Sequence, residues 1–141
     1  MGRYRRIEGA WSAVEPLRDA ARGRILLRQA FAGAMGDPLH LVVRGSAMQI
    51  AVWRALLEIP EGSVASYTTL AAAIGAPGAV RAVASRVGDS PIASLIPCHR
   101  VVRATGLIAG YRWGTGRKVA LLARELGRRA GLAGSRAGSA S

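Results

Sequence analysis

A four-residue turn between two short, mostly apolar segments constrains the fold of this chain more than any other feature. The segments are residues 67–74 and 79–87, and the turn between them, residues 75–78, reads Gly-Ala-Pro-Gly. Because glycine and proline end helices and build tight turns, the pattern predicts two short helices around this turn. The arrangement is typical of a helix-turn-helix, although plain helical hairpins share it.

The second predicted helix has a distinct inner and outer face. Helical spacing places Arg81 and Ser85 outside, one turn apart, with small Ala82 beside them. The residues expected to be buried are Val80, Val83 and Val87. Small outer side chains would let the helix backbone approach DNA closely, and they would equally suit a helix that packs tightly against protein.

The rest of the sequence predicts a mainly α protein with short strands. The further elements are a helical region at 14–35, a strand at 39–45, a helix over 46–59 with Ser46 as its N-cap, and a final helix over 114–127. The tail from Arg128 is rich in Gly, Ala and Ser and is predicted to be disordered. The expected organisation is a helical remnant at 1–38, a domain at 39–127 and a tail at 128–141.

Apolar residues at helical spacing mark the buried face expected for each longer helix. In the first region they are Leu27, Ala30, Phe31, Ala34 and Met35. In the helix over 46–59 they are Met48, Ala51, Val52, Ala55, Leu56 and Ile59. In the final helix they are Val119, Leu122, Ala123 and Leu126, with Gly127 as its end.

Charge and cysteine usage narrow the class of protein. The chain has 20 Lys and Arg against 8 Asp and Glu, a net charge of +12, which suits a polyanionic partner or a basic protein with no nucleic-acid role. No apolar run approaches the ~20 residues that span a membrane, and no signal peptide is recognisable. One cysteine cannot form an internal disulfide, and it fits a reducing compartment. A cytoplasmic location is therefore expected.

The single cysteine lies in the segment PCHRVV, residues 97–102. With only His40 and His99 beside Cys98, the chain lacks the ligand spacing of a zinc site. A thiol is mostly protonated at neutral pH, so a nucleophilic Cys98 needs a base or positive surroundings. Adjacent residues do not face each other, so His99 would need a bridging water and a third group to orient it. Glu125 is the best candidate for that group, although helical spacing alone favours an exposed pair with Arg128 or Arg129.

Several blocks of the sequence carry a family resemblance. The segments RGSAMQIAVWRAL, IPEGSVASYTTLAAAIGAP, AVRAV, SPIASLIPCHRVV, GYRWG and RKVALLARE are similar to the O6-alkylguanine-DNA alkyltransferases, especially the bacterial Ada-type proteins. The resemblance covers residues 39–127. It implies a winged-helix-like, helix-turn-helix domain that binds DNA and holds the active site. It also implies that the amino-terminal, ribonuclease-H-like domain usual in the family is largely absent here.

The resemblance implies direct-reversal DNA repair. The alkyl group of O6-alkylguanine, and of O4-alkylthymine, would pass irreversibly to Cys98 in a single turnover. The expected partner is double-stranded DNA, bound through the minor groove with the damaged base flipped out. No cofactor or metal is implied, and a monomer in the cytoplasm, associated with the nucleoid, is expected.

The family pattern also implies site residues. His99 would act on Cys98 through a water, Glu125 would hold His99, and Tyr67 would donate a hydrogen bond to the departing purine. Arg81 would fill the gap left in the duplex. The other residues expected to bind DNA are Ala82, Ser85 and Arg100, and those expected to shape the base pocket are Ser90, Val101, Tyr111, Arg112 and Trp113.

Departures from the family pattern leave alternatives open. Ser90 stands where the family usually has an asparagine that braces the site, which predicts some loss of rigidity and no loss of chemistry. Trp113 should narrow the pocket and favour methyl over benzyl-sized groups. The main alternative is a non-catalytic sensor of alkylated DNA, although such proteins replace the cysteine. An Ada-type regulator and a cysteine hydrolase are further alternatives.

Overall fold

The computed structural model describes residues 19–31, 41–108 and 110–137. These residues fall into two units, one ending at Arg44 and the other beginning at Gly45. In the first unit, helix α1 spans Ala20–Phe31 and confirms a helix within the predicted region. The side chain of Asp19 accepts a hydrogen bond from the backbone N–H of Arg22 at 2.9 Å, which caps the helix start.

The first unit differs from the prediction in its strand. The predicted strand at 39–45 is wrong over residues 41–45, which have no regular secondary structure. A strand needs a partner for its backbone groups, and no other described segment pairs with these residues. The side chains predicted to form the buried face of this helical region lie outside the described part of the chain.

The second unit begins with helix α2, Ala47–Leu57, close to the predicted bounds. Ser46 is its N-cap, as predicted, and forms a capping box with Gln49 that stabilises a helix by about 1 kcal/mol. Val52 and Leu56 are fully buried, as the periodicity predicted. Trp53 is also buried, and its indole N–H donates to the Arg86 carbonyl at 3.1 Å, a contact between distant segments that the periodicity did not indicate.

The predicted pair of short helices is present. Helix α3 spans Tyr67–Ala73 and helix α4 spans Val80–Gly88. Gly75 follows α3 with φ +73°, and the Ala76 N–H bonds the Ala71 carbonyl at 2.9 Å, so the helix ends in a Schellman motif that needs a glycine. The helices pack through buried apolar side chains, namely Leu70, Ala71, Val83 and Val87.

A two-residue parallel sheet brings α3 to the cysteine segment. Strand β1, Ala65–Ser66, leads directly into α3, and strand β2, Val101–Val102, follows a 3₁₀ helix over Cys98–Arg100. Ala65 pairs with Val101 and Ser66 with Val102. This register places the start of α3, at Tyr67, beside the segment that carries the thiol.

The final helix corrects two predictions. Helix α5 spans Thr115–Ala137 and does not end at Gly127, so residues 128–137 are helical and not a disordered tail. An internal glycine costs a helix only about 1 kcal/mol. Beyond it, Arg129 bonds the Gly62 carbonyl and the Ser63 hydroxyl, each at 3.1 Å, which supports the added turns.

The predicted inner face of α5 was correct at Leu122 and wrong at Val119, Ala123 and Leu126. Val119 and Leu126 are about half exposed, whereas Lys118, Leu122 and Glu125 are buried. The buried stripe therefore contains two ionisable side chains, which a pattern based on polarity assigns to the surface. No helix among the described residues is both long enough and apolar enough to cross a membrane.

Candidate active site

Cys98 opens the 3₁₀ helix that follows Pro97, and it is buried, with 3% of its surface exposed. It lines a small cavity that is partly open to solvent, together with Tyr67 and Tyr111. Ala84, Val87 and Gly88 of α4 form another wall of the cavity. The only thiol of the chain is thus placed between the helix-turn-helix and the loop over 110–113.

Burial raises the pKa of the Cys98 thiol, and its neighbours oppose that effect. The sulfur lies 3.8 Å from the Tyr111 hydroxyl oxygen, to which the thiol donates. Bonds from Tyr111 and Ser90 to the thiolate, and the positive charge of Lys118, each act to lower the pKa of the thiol. Ser90 is fully buried, and its hydroxyl has no hydrogen-bond partner among the described residues, so it is free to donate to a thiolate at Cys98.

His99 and Glu125 are in contact, as the sequence predicted. The imidazole Nε2 lies 2.6 Å from Oε1 of Glu125, and both residues are buried. Burial lowers the pKa of His99, although the bond and charge of Glu125 oppose this, so the neutral ring is favoured at neutral pH. With Nε2–H donating to the carboxylate, Nδ1 is the basic nitrogen, and it is buried without a hydrogen-bond partner in the described part of the chain.

Glu125 is held from three directions. Its carboxylate accepts three bonds from the Arg100 guanidinium at 2.9–3.2 Å, and one from the Gly62 N–H at 3.2 Å. Burial acts to raise the pKa of Glu125, but the bonds from Arg100, His99 and Gly62 hold it below its ordinary value. Gly62 has φ +73°, and an added Cβ would contact the backbone of Glu125, so this turn requires glycine.

Two side chains near Glu125 depart from the sequence predictions. Arg100 was expected to bind DNA, but only 15% of its side chain is exposed, and it also donates to the Ile59 carbonyl at 2.6 Å. Its guanidinium is therefore occupied in holding Glu125, which does not fit a DNA contact. The exposed pairing of Glu125 with Arg128 or Arg129 is not formed, and Arg128 instead pairs with Glu61 at 3.3 Å.

Lys118 belongs to the site, and the sequence reasoning missed it. Its side chain is 1% exposed, and its ammonium donates to the Val101 carbonyl and lies 5.7 Å from the centre of the Tyr111 ring. Burial lowers the pKa of Lys118, which the negative charge of a Cys98 thiolate partly reverses. The spacing of Lys118, Leu122 and Glu125, with Leu122 between two ionisable residues on one helix face, was the signal that could have indicated it.

Tyr67 is half-buried at the start of α3 and lines the same cavity as the thiol. Burial, followed by the charge of Cys98, raises the pKa of Tyr67, while Arg103 acts to lower it. Its hydroxyl therefore stays protonated at neutral pH and can donate a hydrogen bond into the cavity.

The outer face of α4 agrees with the prediction. Arg81 and Ser85 are exposed, Ala82 is partly exposed, and Val83 is buried. Because Ala84, Val87 and Gly88 of the same helix line the cavity, α4 forms both an outer surface and a wall of the thiol site.

The predicted pocket residues fall into two groups. Tyr111, Arg112 and Trp113 line the cavity, whereas the carbonyl of Val101 is bonded by Lys118. The loop is closed by a bond from the Gly114 N–H to the Tyr111 carbonyl at 3.0 Å. No group of three or more Cys, His, Asp or Glu among the described residues could hold a metal ion.

Comparison with known proteins agrees with this arrangement. Residues 47–127 match the family model "6-O-methylguanine DNA methyltransferase, DNA binding domain". The bifunctional transcriptional activator/DNA repair enzyme Ada of Escherichia coli is 56% identical over 87 residues, which are 62% of this chain and 25% of Ada. The methylated-DNA–protein-cysteine methyltransferase of Mycolicibacterium paratuberculosis is 50% identical over 96 residues, which are 67% of this chain and 58% of that protein.

A solved structure gives the same result. The structure of Mycobacterium tuberculosis OGT in complex with DNA superimposes with a TM-score of 0.68 at 46% identity, and covers 75% of this chain and 66% of that one. The chain spans between a quarter and three fifths of the length of the two relatives named above. The family match covers more than half of the chain and includes the thiol segment and Glu125, and the chain belongs to the 6-O-methylguanine DNA methyltransferase family.

Proposed function

We propose that this protein repairs DNA by direct reversal, accepting the alkyl group of O6-alkylguanine on the sulfur of Cys98. The observation that carries the proposal is the buried pair of His99 and Glu125 next to a thiol that lines a cavity between α4 and the loop over 110–113. The relatives named as methylated-DNA–protein-cysteine methyltransferase and as a DNA repair enzyme support the same reaction. O4-alkylthymine is proposed as a second substrate.

Activation of the thiol would begin at His99. Its lowered pKa keeps the ring neutral, and Nδ1 carries the lone pair because Nε2–H donates to Glu125. A water between Nδ1 and the sulfur would relay the thiol proton to His99, which satisfies the buried nitrogen and removes the need for direct contact. Lys118 and the Tyr111 hydroxyl would then stabilise the thiolate.

The transfer would be an in-line displacement at the alkyl carbon. The sulfur–carbon bond forms as the bond between that carbon and O6 breaks, and the electron pair of the broken bond stays on the purine. Tyr67 would donate a hydrogen bond to the purine, which takes up one proton to leave as guanine. A thioether has no easy route of hydrolysis, so each molecule would act once.

Access to the lesion requires base flipping, because O6 of guanine lies inside the base stack. We propose that α4 enters the minor groove, with Arg81 filling the gap in the duplex and Ser85 and Ala82 close to the backbone. The exposure of Arg81 and the use of the same helix as a cavity wall support this placement. We also propose that the protein acts as a monomer in the cytoplasm, in association with the nucleoid.

Intact mass measurement tests the proposal. The protein is incubated with a duplex that contains one O6-methylguanine, and we expect a gain of one methyl group, mapped to Cys98, and its loss in Cys98→Ala. Retention of the original mass in the wild type, under conditions where the lesion duplex is bound, would instead support a non-catalytic sensor. Absence of both binding and modification would contradict both functions.

A further inference from the structure

The side chain of Arg112 connects the loop over the thiol cavity to α4. The guanidinium of Arg112 donates to the Gly88 carbonyl at 3.1 Å, and Gly88 is the last residue of α4. A helix C-terminus leaves carbonyl groups without helical partners and carries partial negative charge, so it favours a bound arginine. Arg112 and Gly88 both line the cavity, on different walls.

The same guanidinium is close to Trp113. Its central carbon lies 5.7 Å from the centre of the indole ring, within the range of a cation–π contact. Arg112 therefore contacts both the wall of α4 and the bulky side chain of the loop. Gly110 and Gly114, with φ +73° and +100°, flank the three residues Tyr111–Trp113, and neither glycine has a neighbour within 4 Å of an added Cβ. The glycine at each end of the loop adopts a backbone conformation that other residues rarely take, and no side chain packs where a Cβ would stand. The bond from Arg112 to Gly88 therefore helps to set the position of the loop.

We propose that Arg112 is a specificity-determining residue, because its bond to Gly88 and its contact with Trp113 keep the part of the cavity that receives the O6 substituent too narrow for aromatic-sized groups. The part of this inference that concerns DNA rests on the proposed function. The purine itself enters from the open side of the cavity, a methyl group on O6 fits beside Cys98, and a larger group fits only when the bond to Gly88 is broken.

The first test uses no DNA. Cys98 is the only cysteine, so its labelling rate reports access to the cavity. The probes are two neutral reagents, methyl methanethiosulfonate and the aromatic 4,4′-dithiodipyridine. Arg112→Met keeps the length of the side chain and removes its donor and charge. We expect the rate with the aromatic probe to rise about five- to tenfold relative to the small probe, as suits loss of one charged hydrogen bond and a cation–π contact.

Two matched variants distinguish loss of the bond between Arg112 and Gly88 from a general loss of stability. Arg112→Lys can still donate to the Gly88 carbonyl and should give an intermediate ratio. Arg54→Met alters an exposed arginine on α2 and should leave the ratio unchanged. An unchanged ratio in Arg112→Met, or an equal rise with both probes together with a lower melting temperature, would overturn the inference.

The second test uses duplexes with O6-methylguanine or O6-benzylguanine. Arg112→Met should raise the benzyl-to-methyl rate ratio about fivefold, and it should add little in a Trp113→Gly background if Arg112 acts through the indole. A full additional increase in that background would contradict action through Trp113. If the wild type transfers no alkyl group, the proposed function fails, and the labelling ratio still decides whether Arg112 narrows the cavity.

Discussion

The helix-turn-helix and the thiol site are adjacent, but different forces hold them. Helices α3 and α4 pack through aliphatic side chains close in sequence, and their outer face is exposed. The thiol site is held by His99, Lys118 and Glu125, which are buried and bonded to residues 17–63 positions away. Apolar packing fails gradually as methyl groups are removed, whereas a buried polar network loses much of its stability when one member is left unpaired.

The largest effect should follow Glu125→Gln. This change leaves the guanidinium of Arg100 without its carboxylate in a largely buried place, and removing one partner of such a pair costs about 3–5 kcal/mol. Urea unfolding measures the loss, and alkyl transfer should fall with it. The control is Glu61→Gln, which removes an exposed pair with Arg128 and should cost less than about 1 kcal/mol. Equal losses in the two variants would mean that the network does not differ from a surface pair.

The contrast also explains which parts of the fold could be predicted from the sequence. The bounds of α2, α3 and α4 follow from local signals, such as the Ser46 cap and the glycine after α3, and these were predicted correctly. The inner face of α5 was predicted correctly only at Leu122, because Lys118 and Glu125 are residue types that are almost never fully buried unless paired. The length of α5 depends on bonds from Arg129 to the turn at Gly62, which no local pattern shows.

The sequence predicted which residues belong to the site better than it predicted their contacts. Cys98, His99 and Glu125 were chosen from their residue types and the family resemblance, and the structure brings the last two together. The part of Arg100 in the network could not be read from sequence, because an arginine in a basic chain is equally suited to a phosphate or a carboxylate. Burial decides between these partners, and burial depends on distant residues.

Acid should weaken the network without any mutation. The pKa of Glu125 is lowered in the folded protein, so its contribution is present above the unfolded value of about 4.5 and is lost as pH falls through the folded pKa. The pKa of His99 is also lowered, so its contribution is lost as pH falls from about 6.5. Unfolding free energy measured from pH 8 to pH 3 should therefore decline, and less steeply in Glu125→Gln. Superimposable declines would show that the pair does not titrate with folding.

Lys118→Met should have an intermediate effect. It leaves the buried Val101 carbonyl without the ammonium donor, which costs about 1–3 kcal/mol, and it removes a positive charge that lowers the pKa of Cys98. The pH profile of Cys98 alkylation by iodoacetamide should shift to higher pH. Arg117→Met, at the exposed neighbouring position, should leave the profile in place. A profile of Lys118→Met that matches the wild type would remove Lys118 from the thiolate environment.

Arg81→Ala should affect the reaction with DNA and leave stability almost unchanged, in contrast to the variants of the buried network. Arg81 is exposed, so unfolding free energy should change by less than about 0.5 kcal/mol, and labelling of Cys98 in the free protein should not change. Reaction with a lesion duplex should slow by roughly tenfold or more, since extrusion of the base costs a few kcal/mol that Arg81 would help to offset. Reaction with free O6-methylguanine, which needs no extrusion and carries the small group that the cavity admits, is the control. Equal slowing of both reactions would move Arg81 from the DNA surface into the thiol site.

The smallest effects are expected at Ser90. This residue follows the end of α4, and so it lies between the helix-turn-helix and the thiol site. Its hydroxyl lowers the pKa of Cys98 and has no hydrogen-bond partner among the described residues, so Ser90→Ala should slow thiol alkylation at neutral pH by less than about tenfold. Stability should change little, because the same substitution removes a buried polar group. Ser90→Asn should add rigidity by bonding two backbone groups, with a small gain in unfolding free energy. A slower or less stable Asn variant would show that the fully buried site has no room for the amide, and that packing around Ser90, more than hydrogen bonding, sets the position of the thiol.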